Sequence, residues 1–377
     1  MNNRVEFSVV LPCRNEEKSL DFCIKQIKKV LLDNKINGEI IVSDSSTDNS
    51  PQIARINKVK IVKHEKEGYG NAYIEGFKEA KGKYIFMADC DGSYDFNEIP
   101  AFLRVLRQGN DFVIGDRFNS GMEKGSMPFS HRYIGNPILS GILRVFFSSN
   151  VHDVHCGMRA ISREALDKLN LRTTGMEFAS EMVIKAIKKK LKIKQIPISY
   201  YQRKGKSKLK PFSDAWKHVR FMLLYSPLFL FFIPGMLLFF LGLLSMFWFY
   251  FWNAHLFNLT FQFHPMFVSS LLTLIGYQLI VFAAFAKSYA INHLGEESRF
   301  MEKIYRCITI EKASIVGILL GLIGVIIYIF ILIKWIKSGF GSLNEVKNSI
   351  LALTLIVLGI QTIFSSFMLS ILGIKEK

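Results

Sequence analysis

Asp89 and Asp91 stand one residue apart in Ala88-Asp89-Cys90-Asp91-Gly92-Ser93-Tyr94-Asp95, directly after the apolar run Tyr84-Ile85-Phe86-Met87. A short apolar run before a polar turn reads as a buried strand, and alternation along a strand sends residues i and i+2 to one face. The two carboxylates can therefore converge on one cation at the strand's carboxyl edge, where open α/β sheets bind ligands. Hard oxygen ligands favour Mg²⁺ or Mn²⁺, and an ion held by one or two carboxylates shares its shell with substrate phosphates. The chemistry to look for is a nucleoside diphosphate. Taken alone, Asp-x-Asp is more often a solvated Asp-Gly turn, so its surroundings decide.

The elements that must position this pair alternate strand and helix. Residues 7–11 form a continuous apolar run that ends at Pro12, and residues 17–32 carry Leu20, Ile24, Ile27 and Leu31 at helical spacing. Residues 39–42 predict a second strand ending at Ser43-Asp44, and Thr47-Asp48-Asn49-Ser50-Pro51 supplies capping chemistry for a second helix. Residues 59–62 predict a third strand, Gly68-Tyr69-Gly70-Asn71-Ala72 opens a helix to Ala80, and residues 84–88 form the fourth strand. This βαβαβαβ order implies an α/β, Rossmann-type doubly wound parallel sheet with helices on both faces. Residues 111–115 and 193–198 look like further strands, and residues 181–190 like a helix with a solvated basic face. Polar clusters follow the first, second and fourth strands: Pro12-Cys13-Arg14-Asn15-Glu16, Asp44-Ser45-Ser46-Thr47-Asp48 and Asp89-Cys90-Asp91. Jointly they describe a pocket along one sheet edge.

Other motifs divide the same way. Gly68-x-Gly70 follows the third strand and lacks a third glycine, so it is no dinucleotide fingerprint. It is either a close backbone approach to a nucleotide or a plain loop-to-helix transition. Arg117, His131, Arg132 and Arg203 suit anionic groups, although any one of them alone is more often a solvated surface residue. In Arg203-Lys204-Gly205-Lys206-Ser207-Lys208, glycine and serine among cations suggest a loop able to wrap a diphosphate. His152, His155 and Cys156 offer soft ligands but no fourth, which argues against zinc.

Composition changes sharply along the chain. Residues 227–254, 265–286, 313–333 and 348–374 contain no Asp, Glu, Lys or Arg, and each exceeds the roughly 18 residues that mark a membrane span. The reading is a cytosolic catalytic domain over residues 1–210, a basic juxtamembrane segment over 211–226 and a four-span membrane domain over 227–377. The first apolar run is too short for a signal peptide. Residues 255–264 carry no Lys or Arg, whereas residues 287–312 carry five; basic loops stay inside, so the catalytic domain and the second loop are expected in the cytoplasm. Lys334, Lys337 and Lys347 in the last loop run against that rule. The sequon at Asn258 would face out. Five cysteines without a Cys-x-x-Cys pair fit a reducing compartment. The formal charge of +17 is read as membrane-surface and phosphate chemistry, not nucleic-acid binding, because seven Lys/Arg fall within residues 203–220, just before the first span.

The chain resembles the polyprenyl-phosphate glycosyltransferases of glycosyltransferase family 2, the group that contains dolichyl-phosphate mannose and glucose synthases. The resemblance covers roughly residues 5–225. It rests on Pro12-x-Arg14-Asn15-Glu16, Asp44-x-Ser46-x-Asp48, Asp89-x-Asp91, Gly115-Asp116-Arg117, Asp153-x-His155-Cys156-Gly157-Met158-Arg159 and Arg203-x-Gly205-x-Ser207-Lys208. It implies a GT-A-like fold, inversion at the anomeric carbon and a divalent ion, Mg²⁺ or Mn²⁺. It also implies that Pro12, Arg14, Glu16, Val42, Asp44, Asp89 and Cys90 hold the nucleotide, that Asp91 holds the metal, that Arg203 and Lys208 hold the diphosphate, and that Arg117 and Arg132 face the acceptor phosphate. On this resemblance Asp89, Asp91, Arg117 and Arg203 are the catalytic set. Where many relatives carry Gln this chain has Ser93, a candidate metal ligand, and the Arg203–Lys208 segment is one residue shorter than the usual pattern. The implied partners are a nucleoside-diphosphate sugar (UDP-hexose favoured, GDP-mannose open), a polyprenyl phosphate and membrane lipid; homo-oligomerisation stays open.

An acceptor that is already a phosphate needs positioning instead of a general base, because its second pKa lies near 6. Two alternatives remain at the level of sequence. A processive polysaccharide synthase of the same fold would carry Gln-x-x-Arg-Trp, but Trp216 follows Ala215. A nucleotide-sensing transporter or scaffold would be expected to carry ionisable residues within its spans, and these four carry none.

Overall fold

Seven of the strands join one sheet: β1 (Phe7–Cys13), β2 (Gly38–Asp44), β3 (Lys60–Lys63), β4 (Tyr84–Met87), β5 (Phe112–Asp116), β6 (Arg159–Ser162) and β7 (Ile193–Pro197), in the order β3-β2-β1-β4-β6-β5-β7. The computed structural model describes residues 5–119, 121–205, 211–252, 254–256, 259–261, 263–294 and 310–373. They divide into two units, Met1–Tyr225 and Ser226–Lys377.

In the first unit β1, β2, β4 and β5 are buried through almost their whole length. Strands apolar on both sides need helices on both sides. The connections supply α1 (Leu20–Asp33), α2 (Ser50–Ile56), α3 (Tyr69–Glu79), α4 (Ile99–Arg107), α5 (Asn136–Phe147), α6 (Arg163–Leu169), α7 (Phe178–Lys188) and α8 (Pro211–Leu224). The stripe expected on α1 is its buried face, Leu20, Cys23, Ile24, Ile27, Val30 and Leu31.

The sheet departs from the expected all-parallel arrangement at β6, which runs antiparallel to both β4 and β5. A strand opening on arginine reads as surface, yet Arg159 is 1% exposed. Its guanidinium donates to the carbonyls of Cys156 (2.7 Å), Val154 (2.6 Å) and Ala179 (2.9 Å), so the buried charge keeps its hydrogen bonds. The reversal matters for function. Arg159 pairs with Met87 at the end of β4, so the segment leading into β6, residues 153–158, lies at the same sheet edge as Asp89.

The basic segment before the first span is also not simply solvated. It forms α8, which buries His218, Phe221 and Met222 in the first unit while Trp216 and Leu224 stay exposed.

The second unit holds α9 (Ile233–Phe251), a short hairpin of β8 (Ala254–Leu256) and β9 (Leu259–Phe261), α10 (His264–Leu294), α11 (Ile310–Lys337) and α12 (Val346–Gly373). Among the described residues, four helical stretches are long and apolar enough to cross a membrane: Leu228–Phe251, His264–Asn292, Glu311–Lys337 and Val346–Leu372. Glycines let them approach closely; a Cβ on Gly276 would lie 2.2 Å from the Phe239 nitrogen. Between α10 and α12 neutral side chains bond across the helices: Ser270 with Thr354 (2.6 Å), Tyr277 with Thr362 (2.6 Å) and Gln361 to Gln278 (3.1 Å).

Candidate active site

The turn after β4 is built to present one carboxylate and hold another beneath it. Gly92 adopts φ +83°, the left-handed region that favours glycine, and the chain folds back so that Asp91 Oδ1 accepts from the Ser93 N–H (2.9 Å) and hydroxyl (2.5 Å). Asp91 Oδ2 takes the Arg203 guanidinium at 3.0 Å. Two backbone bonds deliver that arginine: Tyr201 N–H to the Ser93 carbonyl and Lys204 N–H to the Asp91 carbonyl, both 2.9 Å. Arg203 Nη2 also lies 4.0 Å from Glu16, and its Nε is buried without an acceptor among the described residues. Ser93, a candidate metal ligand, thus points its hydroxyl at the carboxylate expected to hold the metal. Lys208 lies outside the described residues.

Asp89 lies against the segment that leads into β6. Its Oδ2 would stand 2.7 Å from a Cβ on Gly157, so only a glycine at position 157 leaves room for the carboxylate. Burial, reinforced by the charge of Asp91, pushes the Asp89 carboxyl up to about 7; the Tyr69 hydroxyl, Arg203 and Arg117 pull it back. Two carboxylates close enough to act on each other, with Arg203 paired to one of them, supply hard oxygen donors of the kind that suits a divalent ion.

The loops after β1 and β2 are fastened together. The Thr47 N–H donates to Asn15 Oδ1 (2.8 Å), the Asn15 N–H to the Ser46 hydroxyl (2.8 Å), and the Glu17 N–H to Asp48 (3.1 Å). Asn15 takes φ +56° to do this. Ser46, Thr47 and Asp48 are therefore structural fasteners. Asp44 differs: it is fully buried, and while Oδ1 accepts from the Ser46 N–H (3.3 Å), Oδ2 is buried with no donor among the described residues. Val42 is buried in β2 beside it. The Cys90 thiol donates to the Pro12 carbonyl (3.1 Å), which ties the first and fourth strand ends. Arg14 is half exposed and pairs with Glu67 at 2.7 Å.

Arg117 and Arg132, expected together on an acceptor phosphate, are placed differently. Arg117 is 6% exposed and grips Asp153 with Nε (2.7 Å) and Nη2 (2.8 Å). Its guanidinium lies 5.2 Å from the Tyr200 ring centre. Its charge is matched inside the fold. Arg132 sits half-buried on the π-helical turn Ser130–Gly135 beside Tyr133. Phe129, Tyr133, Ile134 and Ile138, on that turn and the start of α5, are all more than half exposed.

Two further motifs resolve. Gly68-x-Gly70 approaches protein backbone: a Cβ on Gly70 would lie 2.1 Å from the Thr173 carbonyl and one on Gly68 2.2 Å from that of Thr174. The turn they receive, residues 173–178, belongs to the site's surroundings and is missed by the sequence reading. Its one signal is Glu177 beside Phe178, an acid next to the first buried residue of a helix. Of the three soft-ligand residues, the His152 backbone N–H donates to Gln195 (2.8 Å), His155 faces the Ser180 hydroxyl (3.3 Å), and Cys156 lies buried near the Tyr94 hydroxyl.

The first unit thus carries an α/β sheet edge with two acids and an arginine, and among the described residues the second unit carries four helices long and apolar enough to cross a membrane. Residues 8–169 match the sequence model of glycosyl transferase family 2, and residues 284–373 match that of the glycosyltransferase family 2 C-terminal transmembrane region. The low-salt glycan biosynthesis hexosyltransferase Agl6 of Haloferax volcanii is 38% identical over 368 residues, 97% of this chain and 89% of that protein. A dolichyl-phosphate hexose transferase of the same organism is 31% identical, covering 56% of this chain and 89% of that protein. The dolichol-phosphate mannosyltransferase of Pyrococcus furiosus is 28% identical over 55% of this chain and 60% of its own length. Among solved structures, the glucosyl-3-phosphoglycerate synthase of Mycobacterium tuberculosis with Mn²⁺, UDP and glucosyl-3-phosphoglycerate is 22% identical, covering 59% of this chain and 80% of that one at a TM-score of 0.49. The chain belongs to glycosyltransferase family 2: it is a glycosyltransferase with a GT-A-like domain and a membrane-spanning C-terminal region.

Proposed function

We propose that the protein transfers a single hexose from a nucleoside-diphosphate sugar to a polyprenyl phosphate, inverting the anomeric carbon and making a lipid-phosphate-linked sugar. The observation that carries this reading is the meeting of Asp89, Asp91 and Arg203 at the end of β4 in a membrane-spanning family 2 enzyme. The loops at Pro12, Arg14 and Glu16, with Val42, Asp44 and Cys90, receive the nucleotide; the unpaired Asp44 oxygen awaits a donor such as a ribose hydroxyl. Asp91, backed by Asp89 and Ser93, holds Mg²⁺ or Mn²⁺, which when bound neutralises charge on the diphosphate. Arg203, joined by Lys208, exchanges its bond to Asp91 for the donor's phosphates and stabilises the charge that develops as the nucleoside diphosphate leaves.

An acceptor phosphate oxygen forms the new bond to the anomeric carbon as the old bond to the diphosphate breaks. No side chain has to remove a proton, because a phosphate monoester is already largely ionised near neutral pH. The half-buried Arg132, among exposed apolar residues, suits a phosphate on a lipid tail. Arg117 acts one step back by fixing Asp153. Two relatives are named for transfer to dolichyl or dolichol phosphate, which supports this acceptor class. UDP-hexoses are the favoured donors and GDP-mannose the next. The first unit works from the cytoplasmic face.

The test is a donor screen on the purified full chain with UDP-glucose, UDP-galactose and GDP-mannose, with and without polyprenyl phosphate. Nucleoside diphosphate is expected only when donor and polyprenyl phosphate are both present. Equal release without the lipid phosphate, or none with any donor, overturns the reading.

A further inference from the structure

We propose that Glu177 grips the hexose of the donor, its carboxylate accepting hydrogen bonds from sugar hydroxyls, and so selects which hexose is transferred. The inference rests on the function proposed above and goes beyond it to a specificity-determining residue.

The sheet order gives the direction. The nucleotide loops follow β2 and β1, and the diphosphate site follows β4. The next strand in the sheet is β6, whose entering segment brings Gly157 against Asp89. A nucleoside-diphosphate sugar laid from β2 through β1 to β4 therefore carries its hexose toward this segment and whatever is fixed to it. What is fixed to it is the turn of residues 173–178. Arg159 reaches from the start of β6 to the Ala179 carbonyl at 2.9 Å. On the other side Tyr69, whose hydroxyl acts on Asp89, packs its ring 6.3 Å from that of Phe178. The Gly70 N–H donates to the Gly175 carbonyl (3.2 Å) and the Asn71 N–H to that of Thr174 (3.1 Å). The turn is thereby tied to the start of β6 and to Tyr69, the residue whose hydroxyl acts on Asp89.

Two glutamates contrast, Glu177 on this turn and Glu181 on the helix that follows it. Glu181 is fully buried and saturated: it accepts from the Arg172 N–H (3.0 Å), the Thr173 N–H (2.8 Å) and the Thr173 hydroxyl (2.6 Å), and pairs with Lys185 at 2.6 Å. It shapes the turn. Glu177 folds back over Gly175, where a Cβ would stand 2.5 Å from its Oε2. That oxygen is buried, and no donor among the described residues reaches it. A carboxylate oxygen sealed from water without a donor is costly and rare in folded proteins. Placed where the hexose would lie, it has the chemistry of a sugar-hydroxyl acceptor. A carboxylate can take two neighbouring hydroxyls at once, so it reads their stereochemistry, and a site built to bond a hydroxyl discriminates strongly against a sugar that lacks it.

The experiment compares the full-length wild type with Glu177→Ala and Glu177→Gln. Calorimetry with UDP and with GDP reports the nucleotide site, and transfer to polyprenyl phosphate from the donor the wild type uses best reports the sugar. Nucleotide affinity and Tm are expected to hold while kcat/KM falls roughly 10- to 100-fold in Glu177→Ala, the loss of a charge-assisted hydrogen bond. Glu177→Gln is expected to fall between the two. Deoxy donors give the readout that a structural role would not move: removing the recognised hydroxyl lowers wild-type transfer and has no further effect in Glu177→Ala. If the wild type transfers hexose and both variants keep pace, or if nucleotide affinity falls together with transfer, the assignment of Glu177 is overturned while the function stands. If the wild type transfers from no donor, the function and this assignment fall together.

Discussion

At the scale of single residues the site separates groups proposed to meet substrate from groups that hold other groups. Asp91 is 6% exposed, and its carboxylate bonds Ser93 in its own turn and the Arg203 guanidinium. Asp91→Asn keeps the Oδ1 bonds to Ser93 and removes the charge, so it is expected to abolish Mg²⁺- or Mn²⁺-stimulated transfer with Tm nearly unchanged. Near-normal metal-dependent turnover would take the ion away from Asp91. Arg117 makes the opposite case. Its removal strands Asp153, which is fully buried, and breaking a buried pair by deleting one partner costs about 3–5 kcal/mol. Arg117→Ala is therefore expected to lower Tm markedly, and Arg117→Met combined with Asp153→Leu to recover much of the loss. An Arg117→Ala protein of normal Tm with a raised KM for polyprenyl phosphate would return Arg117 to the acceptor. The Asp-x-Asp pair is legible because its meaning depends on its own strand. The partner of Arg117 is not, since Asp153 lies 36 residues away.

Among the elements, the parallel half of the sheet follows from apolar runs ending in polar turns, which a one-dimensional pattern records. β6 is hidden, because Arg159 is tolerable inside only where three carbonyls from three different positions surround it. α8 is hidden for a related reason: its sequence is basic, and its buried face depends on what it meets. One such meeting is His218 against Ser180 (2.8 Å), with His155 on the other side of that hydroxyl and the imidazoles 4.4 Å apart. Burial holds His155 well below its ordinary value, helped by His218 and by Arg159 and Arg117. Burial likewise pushes His218 down to about 4, with Arg159 and Lys217 adding to the effect and Asp214 opposing it. Above the ordinary histidine value of about 6.5 both states are neutral and the pair has no pH dependence. Below it the unfolded chain takes protons that the folded chain refuses, so stability falls as pH drops toward 4. Thermal melts between pH 7 and pH 5 are expected to show a declining Tm that flattens in His218→Gln. An unchanged slope in that variant would show that α8 does not depend on this pair.

For the whole molecule, composition says the most. Uncharged runs longer than a bilayer needs declare membrane helices before any contact is known, and four such helices are present among the described residues. What composition leaves unread is how the spans hold together, because hydroxyls and amides that pair between α10 and α12 look like ordinary polar interruptions until the helices are side by side. Orientation is a matter of charge, and the two ends disagree: residues 287–312 hold five Lys/Arg and residues 255–264 none, while Lys334, Lys337 and Lys347 lie on the ends of α11 and α12 that flank the last loop. The five-to-none contrast is the larger bias, and Lys334 is partly answered by Glu345 at 2.7 Å. The second loop, with the first unit, is therefore expected on the cytoplasmic side. A nucleotide-sugar enzyme needs that side if its donor is made in the cytoplasm, whereas a sugar-linked lipid can be used on either face once it has moved across. The chain carries a reporter for this question. Cys13, Cys23, Cys90 and Cys156 are buried, so Cys307 in the second loop is the native thiol to follow with a membrane-impermeant maleimide. In intact cells it is expected to stay unlabelled until the membrane is permeabilised. A cysteine replacing Asn258 in the first loop or Ser338 in the last is expected to react at once. Immediate labelling of Cys307, with protection at both engineered positions, would turn the molecule over and place its catalytic unit outside.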